Sequence, residues 1–268
     1  MFVNNNKYKD KKYMEANINC DMGETSKFSS AENDPDLLEI INTANIACGY
    51  HAGDEETMRK TIVLAKKNGV SVGAHPSFND PDNFGRSRIT LGKKEVHKLI
   101  LDQIEIITKI ANEENYPITH VKPHGALSNM ACEDYDLAYS IGEAIKAFDK
   151  NLIYMCNANT QMDKAGDALG LKVAKEIFAD RNYNDDGTLV SRKLGHAFVT
   201  DPQESLQNIL TMLNEKVIKC HSGKKIPCDI HTICIHSDGP TAVAIAKELK
   251  QGLVQAGVKL KPLDLLVQ

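Results

Sequence analysis

Two patterns take turns along the chain: short apolar runs, and longer stretches whose apolar residues recur every three or four positions. The first pattern predicts buried strands, the second amphipathic helices. Strands are expected at 17–20, 45–49, 70–74, 118–121, 152–156, 173–179 and 232–235, seven in all. Between them the spacing predicts helices with recognisable ends. Asp34 and Pro35 read as an N-cap and first helical residue of a helix running to about Asn42. Asp54 caps a helix over 55–68 that Gly69 closes. Val96, Leu99, Ile100, Ile104, Ile107 and Ile110 form the stripe of a helix ending near Asn115. One helix follows the 118–121 strand, with Leu137, Ile141, Ala144, Ile145 and Phe148 buried. Thr160 and Gly170 bracket a shorter helix, and Asp201-Pro202-Gln203-Glu204 opens another. The last is expected from Pro240 to Gly257. A hairpin turning at Ser222-Gly223 and a short strand at 258–260 complete the pattern.

Strand and helix alternate with no internal linker and no shift in composition, which predicts one α/β domain with a parallel sheet. Seven strand-helix units fit a closed single-domain β/α barrel better than an open sheet, because right-handed crossovers put every strand's C-terminal turn on one face. Residues 15–268 are expected to form that barrel, and residues 1–14, rich in Asn and Lys, a disordered tail.

Composition narrows the function. A net charge of -4 and a pI near 6.1 leave no basic stripe to neutralise phosphates, which argues against nucleic acid. Seven cysteines without a Cys-x-x-Cys pair read as reduced thiols, four of them inside strand candidates, and point to a reducing, cytoplasmic setting. No apolar run is long enough for a membrane span. Gly92-Lys93-Lys94 and Gly223-Lys224-Lys225 lack the rest of a Walker A loop, and no Gly-x-Gly-x-x-Gly occurs.

Candidate chemistry gathers at the strand ends, where parallel α/β folds bind ligands. Asp21 and Glu24 flank Gly23 and are candidate acid-base carboxylates, although either could cap a turn. His51, His75, His124 and His236 each follow a different strand. One such histidine is commonly structural; four at one end of a sheet point to function. Lys122 and His124 flank Pro123 and could stabilise an oxyanion. The catalytic candidates are therefore Asp21, Glu24, His51, His75, Lys122 and His124. Asn45, Arg86, Asn157, Arg181, Arg192, His236 and Asp238 are candidates for binding substrate, the arginines by clamping a carboxylate or phosphate. Asp238 could orient His236 or cap the last helix. The long 76–88 loop, with Gly85 and Arg86 beside Phe84, reads as functional, and the irregular 182–200 stretch as a lid or rim. No His-x-x-x-His or His-x-His pair appears, so spacing leaves a metal open.

The stretches Asn19-Cys20-Asp21-Met22-Gly23-Glu24, 44–54, Gly73-Ala74-His75-Pro76-Ser77, Asn83-Phe84-Gly85-Arg86, 121–127 and 173–181 together resemble the LamB/YcsF family, in order and spacing, from about Ala16 almost to the C-terminus. The resemblance implies a seven-stranded barrel similar to that of polysaccharide deacetylases. It also implies ATP-dependent opening of the 5-oxoproline lactam to glutamate by a 5-oxoprolinase with partner subunits B and C. Ser128, Ser191 and Ser237 depart from the family pattern without removing a titratable group. The expected roles are water activation by Asp21 or Glu24, charge stabilisation by Lys122 with strand-end histidines, and substrate-carboxylate binding by Arg181 or Arg192. Two alternatives remain: a stand-alone metal-dependent deacetylase or amidohydrolase with Asp21, His51 and His75 as ligands, and a non-catalytic lactam-binding subunit.

Overall fold

In the computed structural model, which describes residues 14–267, the first strand sets the plan of the barrel. Ala16, Ile18, Cys20 and Met22 lie in the apolar layer under the helices, while the alternate residues Asn17, Asn19 and Asp21 share hydrogen bonds and an ion pair with other strands across the interior. A period of two thus separates an apolar outer face from a polar inner one. The strands are β1 Glu15–Met22, β2 Thr43–Ala47, β3 Ser71–His75, β4 His120–Val121, β5 Ile153–Asn157, β6 Lys172–Phe178, β7 Val217–Lys219, β8 Lys225–Pro227, β9 Thr232–Ile235 and β10 Lys259–Leu260. β1 to β6 and then β9 pair in parallel, and β9 pairs back onto β1, closing a seven-stranded barrel. All seven predicted strands are present, and the predicted hairpin is the β7–β8 pair.

The helices are α1 Asp34–Leu38, α2 Glu55–Asn68, α3 Lys93–Glu113, α4 Gly125–Glu133, α5 Tyr135–Phe148, α6 Gln161–Leu169, α7 Pro202–Glu215, α8 Ala242–Gln255 and α9 Leu263–Leu266. Asp54, Thr160 and Asp201 accept hydrogen bonds from the first-turn N–H groups of α2, α6 and α7, as their sequences predict. Four readings need correction. Asp34 does not cap α1, whose N-cap is Asn33; its carboxylate turns back to accept from the Gly23 N–H at 2.7 Å, and α1 stops at Leu38. The single helix expected after β4 is two, broken at Asp134, whose side chain caps α5. α8 begins at Ala242, two residues after Pro240. A final turn, α9, follows where no helix is expected.

That last turn has a role. Leu263 packs against Ile153, Met155 and Ala174, and its N–H donates to Thr43 Oγ1 at 3.2 Å. Asn17 Nδ2 donates to the Lys261 carbonyl at 2.7 Å. The C-terminal segment therefore stops the barrel at the end away from the strand C-termini. The tail expected at 1–14 lies, apart from Met14, outside the described residues. Among the described residues no helix is long and apolar enough to cross a membrane.

Candidate active site

Inward positions carry an unusual density of polar groups. Asn19 Nδ2 donates to Glu176 Oε1 at 2.9 Å and to Thr232 Oγ1 at 2.7 Å. Asn45 Nδ2 donates to Asn19 Oδ1 and to Asp21 Oδ1, each at 2.8 Å, and its own oxygen lies 2.8 Å from His120 Nε2. All of these residues are buried. Paired in this way they cost far less than unpaired polar groups, and they fix one geometry for the layer above.

The layer above holds the charges. Lys122 Nζ lies 2.8 Å from Asp21 Oδ1, 3.0 Å from Glu176 Oε1 and 3.1 Å from Cys234 Sγ. Burial works against both ions, but each outweighs it for the other. Burial alone would raise the Asp21 pKa, yet His75 and Lys122 hold it well below the usual carboxylate range. Burial would lower Lys122, yet Asp21, Cys234 and Glu176 hold it well above the usual lysine value. Both stay charged at neutral pH.

On the other side of Asp21 stand three imidazoles and Glu24. His75 Nε2 is 3.3 Å from Asp21 Oδ2 and 3.0 Å from His124 Nδ1. Glu24 Oε1 lies 3.0 Å from His51 Nε2 and 3.1 Å from His124 Nδ1. The His51 and His124 rings stack with centroids 3.9 Å apart. Burial, and next the neighbouring His124, push the His51 pKa down to about 3, so this ring is neutral. Glu24 is held below its ordinary value: burial opposes ionisation, but His124 and His51 more than offset it.

The 76–88 loop covers this second group. Phe84 lies edge-on to His51 and His124 at 5.6 and 5.3 Å, and Phe28 lies edge-on to Phe84 at 5.8 Å. Gly85, at φ 63°, is required here, because a Cβ would overlap Ser77 Oγ and press on His124 and His51. Gln103 of α3 pins the loop, accepting from the Ser77 N–H at 2.9 Å and donating to its carbonyl at 2.8 Å.

The outer candidates divide. Arg86 and Arg192 sit on the rim, both facing Asp238, at 3.1 and 3.8 Å. Arg181 is not a free clamp: it is buried, donating to the Ala197 and Val190 carbonyls at 3.2 and 2.6 Å, and so anchors the 182–200 segment. Burial, and then Arg192, lower its pKa to about 10. Asp238 neither orients His236 nor caps α8. Asp180 takes the first role, 2.8 Å from His236 Nδ1, and Thr241 occupies the cap. Asn157 ends β5 in register with Glu176, and Asn45 belongs to the interior network rather than to the mouth. Nor do Asp21, His51 and His75 form a ligand set of their own. Asp21 Oδ1 is committed to Lys122 and Asn45, and the carboxylate facing His51 is Glu24.

The model of the LamB/YcsF family matches residues 16–268, nearly the whole chain and every residue of this site. The chain belongs to the LamB/YcsF family. A relative from Rhodopseudomonas palustris, named as a 5-oxoprolinase A subunit, is 44% identical over 246 residues, 91% of this chain and 96% of its own. Among solved structures, a lactam utilization protein from Thermus thermophilus superposes with a TM-score of 0.86 at 35% identity, covering 92% of this chain and 99% of its own. The catalytic domain of a peptidoglycan N-acetylglucosamine deacetylase from Eubacterium rectale shares the fold, at a TM-score of 0.51 and 12% identity, covering 95% and 90% of the two chains.

Several residues of this LamB/YcsF site escape a reading from sequence. Glu176 stands beside Lys175 and looks like half of a solvent-facing pair, yet it points inward to Lys122. Asn19, His120 and Cys234 sit in segments that read simply as apolar strands. The signal present for them is the alternation Asn17-x-Asn19-x-Asp21, which marks a polar inner face.

Proposed function

We propose that this chain is the A subunit of an ATP-dependent 5-oxoprolinase, working in a reducing, cytoplasmic compartment with partner subunits B and C. What carries the reading is the near-full-length likeness to a protein named as a 5-oxoprolinase A subunit. The name lactam utilization protein, borne by a relative of closely similar structure, supports it.

The chemistry asked for is difficult because amide resonance makes a lactam carbonyl a poor electrophile. Transfer of a phosphoryl group from ATP to the carbonyl oxygen gives an imidate-like carbon. Water then adds to that carbon and the ring C–N bond breaks, the nitrogen gaining protons to become the amine; a second water hydrolyses the acyl phosphate so formed, which releases phosphate and leaves glutamate. In this chain Lys122 lies at the barrel mouth with its charge already fixed, which suits it to hold developing negative charge on the carbonyl oxygen. Asp21, held ionised beside Lys122 and His75, would take the proton of the attacking water on its own carboxylate. Arg86 or Arg192 on the rim would bind the substrate carboxylate, in place of Arg181.

The test is glutamate release from 5-oxoproline by this chain alone and with subunits B and C of the same source, with and without ATP. Release only from the mixture, and only with ATP, is expected. A competent mixture that releases no glutamate would overturn the reading.

A further inference from the structure

With its imidazoles neutral, the group formed by Glu24, His51, His75 and His124 has a feature that hydrogen bonding within the protein does not resolve. His75 Nδ1 lies 2.6 Å from the Lys122 carbonyl, and His124 Nε2 lies 3.0 Å from the Phe84 carbonyl. A carbonyl oxygen only accepts, so both of these nitrogens carry hydrogen. In the neutral rings the other two nitrogens, His75 Nε2 and His124 Nδ1, then present lone pairs to each other across 3.0 Å. Glu24 Oε1, itself only an acceptor when ionised, stands 3.1 Å from one and 3.8 Å from the other. Three atoms that can each offer a lone pair therefore converge on one point.

We propose that Glu24, His51, His75 and His124 bind one first-row transition-metal dication, with Zn²⁺ or Co²⁺ as the fitting ions. Their ligand atoms all lie within 4.8 Å of one another. The nearest pairs are 3.0, 3.0, 3.1 and 3.8 Å apart. A tetrahedral ion with bonds of about 2.0–2.1 Å has ligand-to-ligand edges of roughly 3.4 Å, in the middle of that range. Three imidazoles and one carboxylate suit zinc or cobalt rather than magnesium or calcium, which prefer all-oxygen shells. The carbonyls behind His75 and His124 are the outer partners that orient metal-bound histidines. His51 is held by its stacking on His124 instead.

The four ligands come from the turns after β1 and β2, from the end of β3 and from the turn after β4, so one ion would tie four consecutive strand ends together. It would also hold the His75 ring whose Nε2 faces Asp21. This inference does not depend on which substrate the barrel takes.

The experiment uses the purified full chain, stripped with a chelator, dialysed, and then loaded separately with Zn²⁺ and Co²⁺. One ion per chain after gel filtration is expected, and the cobalt form should show the visible d–d bands of a four- or five-coordinate nitrogen and oxygen site. His124→Gln and Glu24→Gln should each weaken binding by more than the roughly 100-fold that loss of an outer partner can cost. His97→Gln, on α3 away from the cluster, should bind as the wild type does. Circular dichroism of the variants separates lost binding from lost fold, and the cobalt spectrum of the unaltered chain needs no variant. No stoichiometric ion in the wild type, or equal binding by the variants, would overturn the proposal and leave a protonated imidazole as the charge that holds the cluster. Because substrate and partner subunits are absent from this experiment, its outcome is independent of the glutamate-release assay.

Discussion

The two sides of Asp21 solve the problem of burying charge in opposite ways. Toward β6 and β9, opposite charges meet: Lys122 lies between Asp21 and Glu176, with an amide and hydroxyl network beneath them. Toward β2, β3 and β4, acceptors meet acceptors, and the imidazoles and Glu24 close on one point under Phe84 and Gly85. The first side has its cation within the protein, in Lys122. The second acquires its charge balance from a proton or an ion. His75 touches both, so the state of one side reaches the other through a single ring.

The largest effect is expected from Lys122→Met. It leaves Asp21 and Glu176 buried without their shared cation, and removing one partner of a buried pair costs about 3–5 kcal/mol. Chemical denaturation should show that loss together with loss of activity. A variant as stable as the wild type would mean that this side is not held by charge.

Asp34 lies under Gly23, in the turn between Asp21 and Glu24, and offers a pH-dependent comparison. Burial, opposed only partly by the Gly23 N–H, raises its pKa from 3.8 to about 7, and its Oδ1 has no partner. Between pH 4 and 7 the unfolded carboxyl is ionised while the folded one still holds its proton. The folded state therefore binds more protons, and stability falls as pH rises through this window. Asp34→Asn has no such titration, so its advantage over the wild type should grow to a few kcal/mol, at about 1.4 kcal/mol per pK unit, and level off above pH 7. Parallel stability curves for the two proteins would contradict this.

A smaller effect is expected on the histidine side. Gly85→Ala meets both the left-handed backbone and Ser77 Oγ, and should cost about 1–3 kcal/mol. Gly170→Ala, at φ 65° with open space around it, should cost only about 1 kcal/mol. Thermal melts of the pair would show whether close approach over the histidines adds to backbone strain. Equal losses would mean that it does not.

Outside both groups, Arg192→Ala should leave stability within about 1 kcal/mol, as for a loose, half-buried ion pair on the rim. It should raise KM for 5-oxoproline about tenfold with little change in kcat, the signature of lost ground-state binding.

How much of this was legible in the chain depended on period and polarity. The seven strands stood out because each is short, apolar and followed by polar turn residues, and Asp54, Thr160 and Asp201 announced their helices by capping chemistry. The break at Asp134 was hidden because α4, rich in small residues, carries little amphipathic signal. α9 is a single turn whose burial depends on a barrel end built from distant strands. In the site, Asp21, Glu24, His51, His75, Lys122 and His124 were visible as polar groups at strand ends, and all six converge. Glu176 was not, because a charged residue inside a buried strand makes sense only when the strand opposite supplies Lys122. Arg181 was misjudged for the same reason: its partners are carbonyls of a loop whose path no local pattern encodes.

In the proposed mechanism the ionised Asp21, between Lys122 and His75, activates the water that opens the lactam. The measurement that bears on it most directly is the rate of glutamate release from 5-oxoproline and ATP by the assembled complex carrying Asp21→Asn in this chain. The substitution keeps the shape of the side chain and removes its charge, and a fall of about 10²–10⁴-fold with an unchanged circular dichroism spectrum is predicted. A rate equal to the wild type would contradict it and place the chemistry in another part of the complex.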